Sequence, residues 1–197
     1  MRCYGARILR HGDESAALSV TVHATPPAQF ITTQLDSLHD RGAFSCGKAS
    51  LDNYLRDRAV PDARGRSTIT FVLVDPADQR TIQGYYSLSS TSVEFDNVPA
   101  SITKQLRISR HRTMSATLIG RLAVSIGMQG KRIGEGLLFD VVKRAYIASQ
   151  QVGSAFIIVH AIDADAERFY KKFGFVAFED VARGLFLTTA TVAPLLR

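Results

Sequence analysis

Gly120-Arg-Leu-Ala-Val124, then Gln129-Gly-Lys-Arg-Ile-Gly-Glu-Gly136, then an apolar series through Leu137, Leu138, Val141, Val142, Ala145, Ala148 and Val152 decide the architecture of this chain. The first piece reads as a strand, with Gly120 able to accommodate a bulge. The last reads as a long helix over 135–151 with one buried stripe, stopped at Gly153. Between them, small residues let several backbone N–H groups converge on one anion, and the start of the helix adds its positive dipole end. The turn has neither the Gly-Lys-Ser/Thr of a P-loop nor the Gly-x-Gly-x-x-Gly of a dinucleotide fold. Taken alone, it reads equally well as a plain turn.

Working outward, Ala155–Ala161 is a buried-type strand and Asp163–Phe173 a helix opened by acidic residues. Phe175–Phe178 and Leu185–Thr189 are short closing strands. Towards the N-terminus, Thr117–Val124 is preceded by a basic loop, Arg107–Arg112, and a short amphipathic helix from Val98. Thr68–Val74 and Thr81–Val93 form a hairpin about Asp75-Pro-Ala-Asp78. Ser50–Ala59 is a helix with Ser50 at its N-cap, and Pro61 and Gly65 are expected to end it. The order is α/β with mixed strand directions. Residues 1–28, ending in Pro26-Pro27, read as an extended or disordered tail, and 29–197 as one domain.

Composition agrees with a single globular unit of 197 residues, 46% apolar and 21% charged. No apolar run approaches the ~20 residues of a bilayer span, and Val20-Thr-Val22 is too short for the apolar core of a signal peptide. Two cysteines, Cys3 and Cys46, give neither a disulfide framework nor a metal cluster. A reducing cytoplasm and no metal are expected. Net charge is +6, and no Asp or Glu occurs between Asn97 and Gly134, a stretch that holds Lys104, Arg107, Arg110, Arg112, Arg121, Lys131 and Arg132. Such a stretch predicts a local positive field.

The strand, the glycine turn and, about thirty residues on, Asp163-Ala-Asp-Ala-Glu-Arg-Phe-Tyr-Lys-Lys-Phe-Gly-Phe175 together resemble the GNAT superfamily of acetyl-CoA-dependent acetyltransferases, over roughly Phe44–Thr189. The resemblance implies a central mixed, mostly antiparallel twisted sheet flanked by helices, with strands splayed at the acetyl-CoA site. It implies that Gln129, Gly130, Lys131, Arg132, Ile133 and Gly134 hold the pyrophosphate. Leu122, Ala123 and Val124 would offer backbone groups to the pantetheine arm, with Phe169 beside it. Two positions depart from the pattern. Arg132 stands where the first glycine is usual, and Asp163 stands where many members have an Asn that contacts that arm.

A further set resembles the GNAT toxins of bacterial toxin–antitoxin pairs that acetylate aminoacyl-tRNA: Phe44-Ser-Cys-Gly47 with Leu51-Asp-Asn-Tyr-Leu55, Gly84-Tyr-Tyr-Ser-Leu-Ser89, Gly120–Val124 and Arg168–Phe175. That resemblance implies aminoacyl-tRNA as acceptor, a ribbon-helix-helix antitoxin as partner, and a homodimer as a further state. Lys104, Arg107, Arg110 and Arg112 are the expected contacts to tRNA phosphates.

Transfer of acetyl from a thioester to a neutral amine needs positioning, carbonyl polarisation and a proton for the departing thiolate. Tyr170 is the expected acid, a phenol with a reference pKa of about 10. A backbone N–H near Ala123 or Val124 is the expected polariser. For the base, water, His160 and His111 remain alternatives. Cys46, with no His near it in sequence, reads as a small buried residue rather than a nucleophile. Two competing functions stand beside this one: acetylation of a protein or small amine, and a binding module without turnover.

Overall fold

The computed structural model describes residues 31–75, 77–105 and 113–196. The stretch 1–28 therefore lies outside the described residues, as do Arg107, Arg110, His111 and Arg112. Seven strands form one sheet: β1 (Thr32–Gln34), β2 (Ile69–Val74), β3 (Ile82–Glu94), β4 (Thr113–Val124), β5 (Phe156–His160), β6 (Val176–Ala177) and β7 (Gly184–Thr188). Their order is β1-β2-β3-β4-β5-β7-β6. Among these strands only β4 and β5 run parallel, and the other neighbours are antiparallel. The expected mixed, mostly antiparallel sheet is thus the observed one. No described helix is long and apolar enough to cross a membrane.

Period-two alternation assigns residues to faces. Leu73, Tyr86, Ile119, Ile157 and Val159 pack under α4 (Ile133–Ser149) through Leu137, Leu138, Val141 and Ala145, with Tyr170 and Phe175 from α5 (Ala164–Lys172) and its exit. On the other face Val72, Tyr85 and Ala123 lie under Phe44, Tyr54, Leu55 and Ala59. The remainder of that face is covered by Val98, Ile102 and Phe178 over Phe156 and Phe186. Gly84 explains its place in the motif: a Cβ there would come within 2.8 Å of Leu137 and 3.0 Å of the Ala123 carbonyl oxygen, so only glycine lets α4 sit this close to β3.

Several boundaries differ from the sequence expectation. The first helical segment runs α1 (Ala49–Asn53), a π-helical turn (Tyr54–Arg58) and α2 (Ala59–Arg64). Ser50 is not its N-cap; that position is Lys48, without a side-chain bond. Pro61 does not end the segment either, because the preceding wide turn has already shifted the ladder, with the Ala59 N–H donating to Tyr54 O five residues back. Strand β1 was not foreseen; Thr32 and Tyr86 hydroxyls both donate to Asp140 Oδ2 of α4 at 2.5 Å, and Arg144 Nη2 donates to the Thr32 carbonyl, tying this edge to the helix. The short helix from Val98 is α3 (Ala100–Gln105), and the chain closes with α6 (Thr189–Val192).

Candidate active site

Strand β4 pairs with β5 over Ala116–Ile119 and Phe156–Val159, then continues to Val124 without it, so the two strands part beyond Ile119. The expected bulge sits at this point. Ser87 faces Arg121 and Leu88 faces Ile119, which leaves Gly120 as the extra residue.

Beyond Val124 the chain turns through Ile126–Met128 into α4. No side chain caps α4, so the N–H groups of its first turn are available to an anion. An open groove of about 300 Å³ lies at that helix start, lined by Val124, Met128, Gln129, Gly130, Arg132, Ile133, Gly134, Glu135 and Phe169. A Cβ on Gly134 would stand 3.7 Å from Val124 and 3.8 Å from the Phe169 ring, within the groove itself. Glu135 is the one acid there, and Lys172 neutralises it at 3.0 Å. These features suit a pyrophosphate followed by a narrow apolar arm.

Arg132 occupies the αL region, φ 61° and ψ 13°, at the N-cap of α4. This accounts for the glycine usual at that position: the backbone there demands a positive φ, which a side chain makes costly. Lys131 is exposed. Leu122 packs towards α4, and Ala123 is buried on the opposite face. Asp163 caps α5, accepting from the Ala166 N–H at 2.9 Å, and pairs with Lys48 at 3.1 Å; these two partners hold its carboxyl below the usual range.

The Gln129 side chain has a part that the sequence did not disclose. Its Nε2 donates to the carbonyls of Cys46 and Val124, each at 3.0 Å, and the Ile126 N–H donates to Ser45 O at 2.9 Å. Asp52 in turn accepts from the Cys46 N–H at 2.8 Å and the Ser45 hydroxyl at 3.1 Å. The Phe44–Leu55 segment is therefore a clasp on the glycine turn. Burial pushes the Cys46 thiol up to about 11, aided by its Asp52 contact, so it stays a thiol rather than a nucleophile.

Tyr170 is 7% exposed, with ring centroids 5.4 Å from both Phe169 and Phe175. No hydrogen bond joins its hydroxyl to a described residue, and burial raises its pKa well above that of a free phenol. Phe169, its neighbour on α5, is in the groove, so the phenol stands on the same element one residue away. His160 is exposed at the end of β5, opposite Gly184. Lys104 is exposed on α3.

Comparison with known proteins agrees with this geometry. A model of the acetyltransferase (GNAT) domain matches residues 100–185. A tRNA-acetylating toxin of Mycobacterium tuberculosis is 32% identical over 142 residues, 72% of this chain and 81% of that protein. A probable toxin TacT of Sinorhizobium fredii is 25% identical over 180 residues, 87% of this chain and 98% of its own length. The solved structure of AtaT complexed with acetyl-methionyl-tRNAfMet superposes with a TM-score of 0.78 at 26% identity, covering 85% of this chain and 99% of that one. With a groove at the uncapped start of α4, a sheet that opens beyond Ile119 and these relatives, the chain belongs to the GNAT acetyltransferases, among relatives that include toxins acetylating tRNA.

Proposed function

We propose that this protein transfers the acetyl group of acetyl-CoA to the α-amine of an aminoacyl-tRNA, and that it is a toxin restrained by a ribbon-helix-helix antitoxin. The observation that carries the reading is one groove and the elements that meet at it. It is the groove at the uncapped start of α4, which reaches Val124 at the end of β4 and Phe169 on α5, one residue from Tyr170, with β4 free of β5 beyond Ile119.

Acetyl-CoA supplies a thioester carbonyl that a neutral amine can attack and a sulfur that leaves as thiolate. The N–H groups of residues 129–134 hold the pyrophosphate, and backbone groups of Leu122, Ala123 and Val124 hold the pantetheine arm. The amine nitrogen bonds to the acetyl carbon, the carbon–sulfur bond breaks, and Tyr170 Oη gives its proton to the sulfur. The proton released from nitrogen goes to water, and the phenol regains its own from solvent. The desolvation that raises the Tyr170 pKa also raises the proton affinity of a thiolate formed beside it, so the transfer is not opposed by the full shift.

The acceptor reading rests on the acid-free basic stretch with the toxin relatives. Lys104, Arg107, Arg110 and Arg112 would meet phosphates without reading sequence, so activity on charged tRNA should fall steeply with salt. The test is transfer of labelled acetyl to charged tRNA in a salt series, beside a double variant Arg110→Glu with Arg112→Glu. Loss of transfer with acetyl-CoA binding retained supports the reading. Equal transfer to free amines, insensitive to salt, would favour the small-amine alternative.

A further inference from the structure

The groove for the acetyl donor lies on the α4 side of the sheet, at Val124, in the part of β4 that continues beyond its pairing with β5. On the opposite face, the same stretch of β4 carries a second polar constellation that the transfer steps above do not use. Thr70 of β2, Ser87 of β3 and Arg121 of β4 are successive cross-strand partners, one row along from Val72, Tyr85 and Ala123. Tyr54 of the π-helical turn covers the row, with the Arg121 guanidinium carbon 3.4 Å from its ring centroid. The hydroxyls of Tyr54, Thr70 and Ser87 are all buried, at 4%, 1% and 0% residue exposure, and none has a hydrogen-bond partner among the described residues.

Buried hydroxyls are paired as a rule. Three unpaired hydroxyls in one row and its cover, with a guanidinium at the end of the row that itself makes no ion pair or hydrogen bond among the described residues, leave donors without an acceptor. A guanidinium laid flat on a ring keeps its N–H fork free in the plane. The bulge gives the set its address. A Cβ on Gly120 would come 3.1 Å from Ser87 Oγ, so glycine, at the first residue past the last β4–β5 pair, leaves this hydroxyl uncrowded.

We infer that Arg121 and Ser87 form the acceptor subsite, donating to the carbonyl oxygen of the ester that joins the amino acid to tRNA, with Tyr54 holding the guanidinium flat. This rests on the proposed function. A carbonyl oxygen has two lone pairs, one for an Arg121 N–H and one for the Ser87 hydroxyl. The α-amine is attached to the carbon next to that carbonyl, so fixing the carbonyl directs the nitrogen into the gap between β4 and β5. A backbone phosphate could also accept from Arg121. The flanking hydroxyls, however, are recessed beneath the surface, which suits the slim aminoacyl end of the acceptor better than its bulky sugar–phosphate chain.

The experiment measures kcat and KM for charged tRNA, calorimetric affinity for acetyl-CoA and affinity for uncharged tRNA, in wild type, Arg121→Gln, Arg121→Lys and Ser87→Ala. Arg121→Gln should lower kcat/KM for charged tRNA by about ten- to a hundredfold, and Ser87→Ala by about fivefold. Acetyl-CoA and uncharged-tRNA affinities should stay within about twofold, and Arg121→Lys should recover part of the loss. An equal fall in uncharged-tRNA affinity would make Arg121 a phosphate contact and overturn the assignment. Should Arg121→Gln fold poorly, Ser87→Ala decides, because removing an unpaired hydroxyl leaves packing intact; wild-type kcat/KM in that variant overturns the inference. Transfer by wild type that both variants leave intact refutes this subsite alone, whereas no transfer to charged tRNA by wild type refutes the function beneath it.

Discussion

Tyr170→Phe separates chemistry from packing. The ring contacts to Phe169 and Phe175 are retained, and no hydrogen bond to a described residue is lost, so the substitution removes one oxygen and nothing that holds the fold. Deleting a hydroxyl that bonds to no described residue is close to neutral, within about 1 kcal/mol. For a chain of this size that is a change of roughly 2–4 °C in Tm. Loss of a general acid costs ~10²–10⁴ in rate, or about 3–5 kcal/mol of barrier. The two magnitudes differ enough to tell the roles apart. The assay is single-turnover acetylation of charged tRNA at saturating acetyl-CoA, with calorimetric acetyl-CoA affinity and thermal melting alongside. Turnover should fall at least a hundredfold while affinity and Tm hardly move. Wild-type turnover, or a loss of rate that follows a loss of stability, would refute the assignment of Tyr170 as acid.

Gly134→Asp should fold, since its Cβ meets only ordinary contacts at 3.7–3.8 Å, yet it sets a carboxylate in the groove, so acetyl-CoA affinity should drop at least tenfold; unchanged calorimetric affinity contradicts the pyrophosphate assignment. Arg132→Gly should relieve the αL strain at φ 61° and raise Tm by about 2–4 °C without weakening acetyl-CoA, whereas a lower Tm would mean that the Arg132 side chain supports the turn. Cys46, with its pKa pushed up to about 11, holds a thiolate fraction of only ~10⁻³ at pH 8. Alkylation of the native protein at this residue, followed by peptide mapping, should be slow at pH 8 and accelerate as pH rises towards 11, and rapid labelling at neutral pH would contradict its burial.

The parts of the structure written in short range were legible in the sequence. The glycine turn and the stripe gave α4 within two residues of its observed bounds, while β4 begins at Thr113, four residues before the strand expected from Thr117, and Gly120 marked the bulge because no other residue there lacks a Cβ. What escaped notice depends on contacts between distant residues. β1 is three residues long and is held by Asp140 and Arg144, more than a hundred positions away. The place of β7 between β5 and β6 is set by pairing that no local pattern encodes. Pro61 misled because the π-helical turn that tolerates it leaves no signature in residue type. In the site, Gln129 was found as part of the turn, but its amide bonds to Cys46 and Val124 need the fold to be seen. The row of Thr70, Ser87 and Arg121 likewise emerges only from the sheet register.

The central claim is that the acceptor is the α-amine of an amino acid esterified to tRNA. The direct measurement is mass spectrometry of the aminoacyl end after incubating the purified protein with charged tRNA and isotope-labelled acetyl-CoA, followed by nuclease digestion. An N-acetyl-aminoacyl-adenosine carrying the label, lost when the tRNA is deacylated beforehand and absent with Tyr170→Phe, is the predicted result. Label found on free amines or on protein, with the aminoacyl end unmodified, would contradict it.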